Sequence, residues 1–329
     1  MAEMNSEEGD PVAVADEQTD LYEISTWEVR SLLDRFSVAV YWLAVRTGQA
    51  LVILAALAIL VAIGGLSAIA DPAIALLTAA SVVPALLLAG YVWRSDVTAR
   101  EPLSLLAATF LLAVLTAGFA AVVNGLVQPA FSSLGIVGMI LFFYVVVGPV
   151  EEAVKLLAVW LYAYDADRFA AVIDGAVYGA VAGLGFATIE NAMYIGRAVG
   201  EVGGVSLGLE LIGIGGDITA TRALAGPGHV IYSAFAGYYL GLAKFNPENR
   251  GPIVVKGLVV AALIHATYNA TVGLGSGLIQ SVTGLPVIAA SFVYILLYAG
   301  LFGFLLYRKL DRYRDAYRTA RPNESAEPQ

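Results

Sequence analysis

Val146-Val-Gly-Pro-Val-Glu-Glu-Ala-Val-Lys-Leu-Leu-Ala-Val-Trp160 is an apolar run with Glu151, Glu152 and Lys155 set inside it. With its flanks from Leu134 to Ala163 it is long enough to cross a membrane. A charged side chain at bilayer depth costs at least about 2.5–3.5 kcal/mol on insertion scales, so three together need a reason. Glu151 and Lys155 stand i, i+4 on one helix face, where they can pair. Glu152 is rotated by about 100° from Glu151 and must find another partner. Pro149 cannot donate a backbone hydrogen bond, so it starts a helix segment or kinks one. The carboxylate pair therefore sits beside a helix irregularity, and ionisable groups placed there mark a functional site.

Composition agrees with a membrane setting. Of 329 residues, 59% are hydrophobic and only 14% charged, with a mean hydropathy of +0.78, which defines an integral membrane protein in contact with the lipid bilayer. The 34 glycines fit that class, because small residues let membrane helices approach closely. Cysteine is absent, which excludes disulfides, iron–sulfur clusters and thiol nucleophiles. The formal net charge of −9 is concentrated: residues 1–24 carry eight acidic side chains and no Lys or Arg. Such a segment cannot bury a core and reads as a disordered acidic tail. The acidic balance argues against nucleic-acid partners, and the acidic start predicts no signal peptide.

The predicted fold is all-α: a polytopic helical membrane protein with about eight transmembrane helices. Ser25-Thr-Trp-Glu28 reads as a capping box that opens an amphipathic interfacial helix over 25–45. The transmembrane domain is predicted over 46–307, with a core at about 134–273 and a basic, polar cytoplasmic tail over 308–329. Its spans are expected near Ala50–Leu66, Pro72–Trp93, Leu103–Val127, Leu134–Ala163, Phe169–Ile195, Gly226–Ala243, Pro252–Val272 and Pro286–Tyr307. The fourth is longer than a bilayer needs, which predicts a first part that is re-entrant or broken before Pro149. With both termini cytoplasmic, fifteen Lys and Arg fall on inside segments and only Arg197 and Arg222 outside. That bias sets the orientation of a multi-pass protein of the plasma membrane. The outside connection Gly196–Ala225 reads as a loop or short interfacial helix, a lid or substrate entrance.

The remaining ionisable residues inside the spans are few and clustered. Phe186 and Glu190 share a face at i, i+4, followed by Asn191, while Gly175, Gly179 and Gly183 form a small-residue stripe suited to packing. His229 follows Gly226-Pro-Gly and leads Ser233, Gly237 and Gly241 at helical spacing; His265 and Asn269 stand i, i+4. These are the only two histidines of the chain, and both fall in spans. One buried histidine is often tied to a backbone carbonyl; two with three buried glutamates form a site by the cost of burying each. Asp174, near the inner end of its span, reads as an interfacial or capping residue.

Two histidines with two or three carboxylates suit Zn2+, with a further Glu free to act as general base on a bound water. The candidate ligands are Glu190, His229 and His265. A metal-free route uses a Glu to activate water, a His to assist, and Asn269 with a backbone amide for the oxyanion. Both routes hydrolyse a carbonyl compound, most simply a peptide bond. The same residues could instead line the path of a proton- or cation-coupled transporter. No repeat of the motif set supports an inverted-repeat architecture. A non-catalytic scaffold leaves the clustering in four helices unexplained.

Glu151-Glu152-x-x-Lys155, Phe186-x-x-x-Glu190-Asn191, His229 with Gly237, and His265-x-x-x-Asn269 together resemble the ordered motifs of the PrsW family of intramembrane proteases. That family is related to the CAAX-processing and bacteriocin-processing membrane proteases. The resemblance covers about Gly148–Ala270. It implies a multi-span peptidase, usually described as a metalloprotease, acting on membrane-anchored protein substrates, with site-1 cleavage of a membrane-bound anti-sigma factor as the family's best-known role. It also implies Glu151 and Glu152 as catalytic carboxylates, His229 and His265 completing the site with Glu190, and support from Lys155, Asn191 and Asn269.

Overall fold

The computed structural model describes residues 20–98, 100–201, 203 and 209–320. The acidic stretch expected to be disordered lies outside the described residues up to position 19, as does the end of the tail from 321. Among the described residues the only β-pairing is one isolated bridge, Tyr22 with Thr26, and the rest is helical or irregular.

The chain divides into two units, Met1–Val52 and Ile53–Gln329. In the first, Ser25–Glu28 does not cap a helix. It lies in a turn closed by the Glu23 amide on the Thr26 carbonyl at 2.9 Å. The helix, α1 (Leu32–Ala62), begins after Ser31. There the Asp34 amide donates to Ser31 Oγ at 3.0 Å, and the Ser31 amide donates to Asp34 Oδ2 at 2.6 Å. This is a reciprocal capping box six residues later than predicted, and Asp34 is also bonded by the Tyr22 hydroxyl. α1 then runs unbroken through positions 45 and 46, so no break in the helix separates the expected interfacial piece from the first span.

The second unit continues with α2 (Gly65–Ala70), α3 (Pro72–Ser81), α4 (Val83–Arg94), α5 (Leu103–Ser132), α6 (Gly135–Phe142), α7 (Gly148–Trp160), α8 (Val172–Glu201), α9 (Leu209–Lys244), α10 (Arg250–Thr283) and α11 (Val287–Ala320). Asp71 caps α3, accepting from the amides of Ala73 and Ile74, with Pro72 opening the helix. Six helices, counting α6 and α7 as one, are long and apolar enough to cross a membrane, and the α3–α4 pair, bent by 47°, makes up to seven. The expected eighth, within α9, is long but less apolar. Its polar side chains and glycines face other helices, so lipid contact does not force it to be hydrophobic. Two expected boundaries also move. The Gly196–Ala225 connection is largely helix, because α8 extends to Glu201 and α9 starts at Leu209; and α11 continues through position 308 to Ala320.

α8 is the buried axis of this unit, with Ile173, Ala176, Val177, Tyr178, Ala180, Ala182, Ile189 and Ile195 all inaccessible. Its glycine stripe meets the small-residue stripe of α9 at backbone distance. A Cβ on Gly179 would come within 2.2 Å of the Ser233 carbonyl oxygen, one on Gly175 within 2.2 Å of that of Gly237, and one on Gly183 within 2.3 Å of that of His229. Only glycine permits that approach, as in close-packed membrane helix pairs. Gly179→Ala is therefore expected to lower stability by about 1–3 kcal/mol through overpacking. Gly277→Ala, whose Cβ meets nothing within 4 Å, should not lower it; unfolding temperatures in detergent check both.

The break expected before Pro149 takes the form of a π-helical turn, Phe143–Val147, between α6 and α7. Such turns insert an extra residue into the helical ladder and recur at functional sites. Gly148 follows, so close to α10 that a Cβ there would lie 2.6 Å from the Ala262 carbonyl oxygen. The turn and the glycine together set the rotation at which Glu151 and Glu152 leave the helix.

Candidate active site

Four helices bring the predicted residues together: α7 supplies Glu151, Glu152 and Lys155, α8 Glu190, α9 His229 and α10 His265. Glu152 is completely buried and Lys155 is 1% exposed. Their partners differ from the simple helical reading. Lys155 Nζ lies 2.7 Å from Glu152 Oε1, at i, i+3, and 3.9 Å from Glu151, the expected i, i+4 partner. The choice follows from what stands beside Glu152: Lys155 Nζ is also 2.9 Å from His229 Nδ1 and 4.2 Å from the centre of the Phe186 ring. Glu152 then receives His265 Nδ1 on Oε1 at 2.9 Å and the Ser233 hydroxyl on Oε2 at 3.2 Å. Both of its oxygens are occupied.

These contacts assign the imidazole tautomers. An ammonium only donates, so His229 Nδ1 accepts from Lys155 and His229 Nε2 carries the proton, donated to Glu190 Oε2 at 3.0 Å. His265 donates through Nδ1 to Glu152, which leaves its Nε2 facing Glu151 Oε2 at 3.7 Å. Glu151 Oε1 accepts from Asn124 Nδ2 at 3.1 Å, and Glu151 Oε2 is buried with no hydrogen-bond partner. Glu190 is 21% exposed on its side chain; Arg222 and His229 both bind its Oε2.

A cavity of about 390 Å³ opens on this cluster, lined by Glu151, Glu190, Arg222, His229, His265 and Asn269 among others. A second, of about 370 Å³, shares Asn124, Gln128, Glu151, Glu190 and Tyr194 with it. Asn269 thus takes its expected place on the wall. Asn191 does not: it is buried behind Glu190, accepting from Arg222 Nε at 2.8 Å and donating to Ser81 Oγ at 2.9 Å. It positions Arg222.

Glu151, His229 and His265 each offer one ligand atom within 4.8 Å of the others. The orphaned Glu151 Oε2 and the inward-facing His265 Nε2 are the kind of donors that zinc takes, and Glu152 on the far nitrogen of His265 is the usual orienting carboxylate. The residues present therefore fit a metal. The carboxylate in this set is Glu151; Glu190, expected with the two histidines, is engaged by Arg222 and His229.

Sequence reasoning did not single out Arg222 or Asn124. Arg222 stands seven residues, two helical turns, before His229 and so shares its face, a signal hidden by the glycine-rich stretch ahead of it. Asn124 is one neutral polar residue in an apolar span, and nothing in its spacing pointed to Glu151.

Buried carboxylates and imidazoles around a cavity among membrane helices define one of two classes, a membrane-embedded hydrolase or an ion-coupled carrier. The sequence model of the PrsW family intramembrane metalloproteases matches residues 101–300 and decides for the hydrolase. The chain belongs to the PrsW family, and it is an integral membrane peptidase. It is similar to the Protease PrsW of Halalkalibacterium halodurans, 30% identical over 203 residues that span 61% of this chain and 85% of the relative. The corresponding proteins of Geobacillus kaustophilus, 30% identical over 195 residues (59% and 78%), and Bacillus subtilis, 28% over 192 residues (58% and 79%), are similar to it as well. No solved structure matches the chain significantly.

Proposed function

We propose that the chain cleaves a membrane-anchored protein in the outer half of the plasma membrane, in the manner of a site-1 protease, using Glu151, Glu152, His229 and His265. Both termini are cytoplasmic in this reading, supported by the concentration of Lys and Arg on the inside segments. The observation that carries it is the unpartnered, buried Glu151 Oε2 set 3.7 Å from His265 Nε2 on the wall of the cavity.

Glu151 and His265 Nε2 would hold a zinc ion, and His229 would join them by exchanging one of its present hydrogen bonds for the metal; a zinc there would lower the pKa of a water toward about 7 and polarise a carbonyl. Glu152 fixes His265 through Nδ1, and Lys155 fixes both Glu152 and His229, so the two imidazoles keep one orientation. Glu190, whose Oε2 is held by Arg222 and His229, keeps Oε1 for the proton of the attacking water and returns it to the leaving amine. Asn269, on the same wall, offers its side-chain amide to the oxyanion.

Purified protein supplied with a single-span substrate is expected to cut it near the outer boundary of its transmembrane segment. The variants separate the roles. His229→Ala should lose about one equivalent of zinc together with activity, whereas Glu190→Gln should lose activity by about 10²–10⁴-fold and keep its zinc. Full activity in Glu190→Gln would remove Glu190 from proton transfer. Ion flux in liposomes without proteolysis would return the site to the carrier reading.

A further inference from the structure

At the other end of α8, roughly 24 Å along the helix from Glu190, three more carboxylates converge. Asp96 and Glu101 come from the connection between α4 and α5, and Asp174 from the first turn of α8; an oxygen of each lies within 4.8 Å of the others. Glu101 is 2% exposed and Asp174 fully buried.

Hydrogen bonds account for only one side of the cluster. Asp174 Oδ2 accepts from the amides of Ala170 and Ala171 at 2.8 and 2.7 Å, the capping role its position predicted. Its Oδ1 accepts a longer bond, 3.2 Å, from the Thr98 hydroxyl. Asp96 Oδ1 accepts from the Thr98 amide and hydroxyl at 2.8 and 2.7 Å. Glu101 Oε2 accepts from the Tyr178 hydroxyl. What remains is Glu101 Oε1 and Asp96 Oδ2, both buried and both without a partner in the protein. Among the described residues no Lys, Arg or His forms an ion pair with any of the three carboxylates. Lys244, on α9, instead donates to the Tyr164 carbonyl and lies over the Phe169 ring. The Lys244 charge reaches Asp174 and Glu101 without a direct ion pair to either.

We infer that Asp96, Glu101 and Asp174 form a binding site for a hard divalent cation, Ca2+ or Mg2+, separate from the peptidase cavity. Every donor is a carboxylate oxygen, with no imidazole or thiolate among them, which matches hard cations and sets the site apart from the His-containing cluster. The unpartnered Glu101 Oε1, on a residue almost wholly buried, is the oxygen that such an ion completes. An ion there ties the α4–α5 connection to the start of α8, the helix that carries Glu190.

The test uses full-length protein in detergent, stripped with a chelator and titrated separately with CaCl2, MgCl2 and ZnCl2. Calorimetry reads the uptake and thermal unfolding reads its effect. Ca2+ or Mg2+ is expected to bind at about one equivalent and to raise the unfolding temperature, equally in the wild type and in His265→Ala. Asp96→Asn, the change at the most accessible of the three residues, should weaken that uptake by about tenfold or more. Its zinc uptake should be unchanged, which also reports that it has folded. Absence of Ca2+ and Mg2+ uptake by the wild type overturns the inference. So does uptake that is unchanged in Asp96→Asn, or uptake that disappears in His265→Ala alone, which would assign the ion to the peptidase cavity. Failure of the peptidase reading leaves the Ca2+ and Mg2+ outcomes untouched, since none of them depends on proteolysis or on zinc, and thermal unfolding still reports that Asp96→Asn has folded.

Discussion

Glu151→Gln is expected to reduce proteolysis by roughly 10³-fold or more, a loss in the range that general acid–base or electrostatic groups contribute. The amide keeps the volume of the carboxylate and can still meet Asn124, so the fold should survive. What it removes is the charged Oε2 that stands unpartnered opposite His265. Zinc content should fall with activity, while Glu190→Gln loses activity alone. Initial cleavage rates and metal analysis on the same preparations check this pair, and an active Glu151→Gln protein would dismantle the site assignment.

Lys155→Ala is expected to act first on stability, lowering it by about 3–5 kcal/mol, because it strands a fully buried carboxylate. It also takes away the donor to His229 Nδ1, freeing that ring to change tautomer. A change of both partners, Lys155→Met with Glu152→Gln, removes the Glu152 charge together with its ammonium and should be more stable than Lys155→Ala alone. Thermal unfolding of the two variants decides. If the double variant is the less stable of the two, the ion pair is not what Lys155 contributes.

The membrane class, the helical fold and the four polar motifs were legible because charge in a span is so costly that its exceptions stand out. The glycine stripes on α8 and α9 were legible as packing for a related reason, since their spacing repeats on one helix face. The choice of Lys155 between Glu151 and Glu152 was not, because both lie within reach on the same helix and His229, 74 residues away, settles it. The π-helical turn announced itself only as an irregularity near Pro149; its residues are ordinary apolar ones. Arg222 was read as a loop charge because glycine-rich sequence argues against helix locally, and packing against α8 overrides that preference. The expected span in the same helix falls short on hydropathy alone: a segment shielded by its neighbours need not look like one that faces lipid.

The seam between α8 and α9 has a mechanical side. Where two backbones touch, no side chains are available to slide or change rotamer, so Glu190 and His229 belong to a stiff hinge-free plate. Any widening that lets a polypeptide reach the cavity must come from the opposite wall, where Met139, Phe142 and Phe143 present adaptable side chains next to the π-helical turn. The buried Glu/His cluster is therefore divided between a fixed half and a yielding one, with Glu151 on the yielding side.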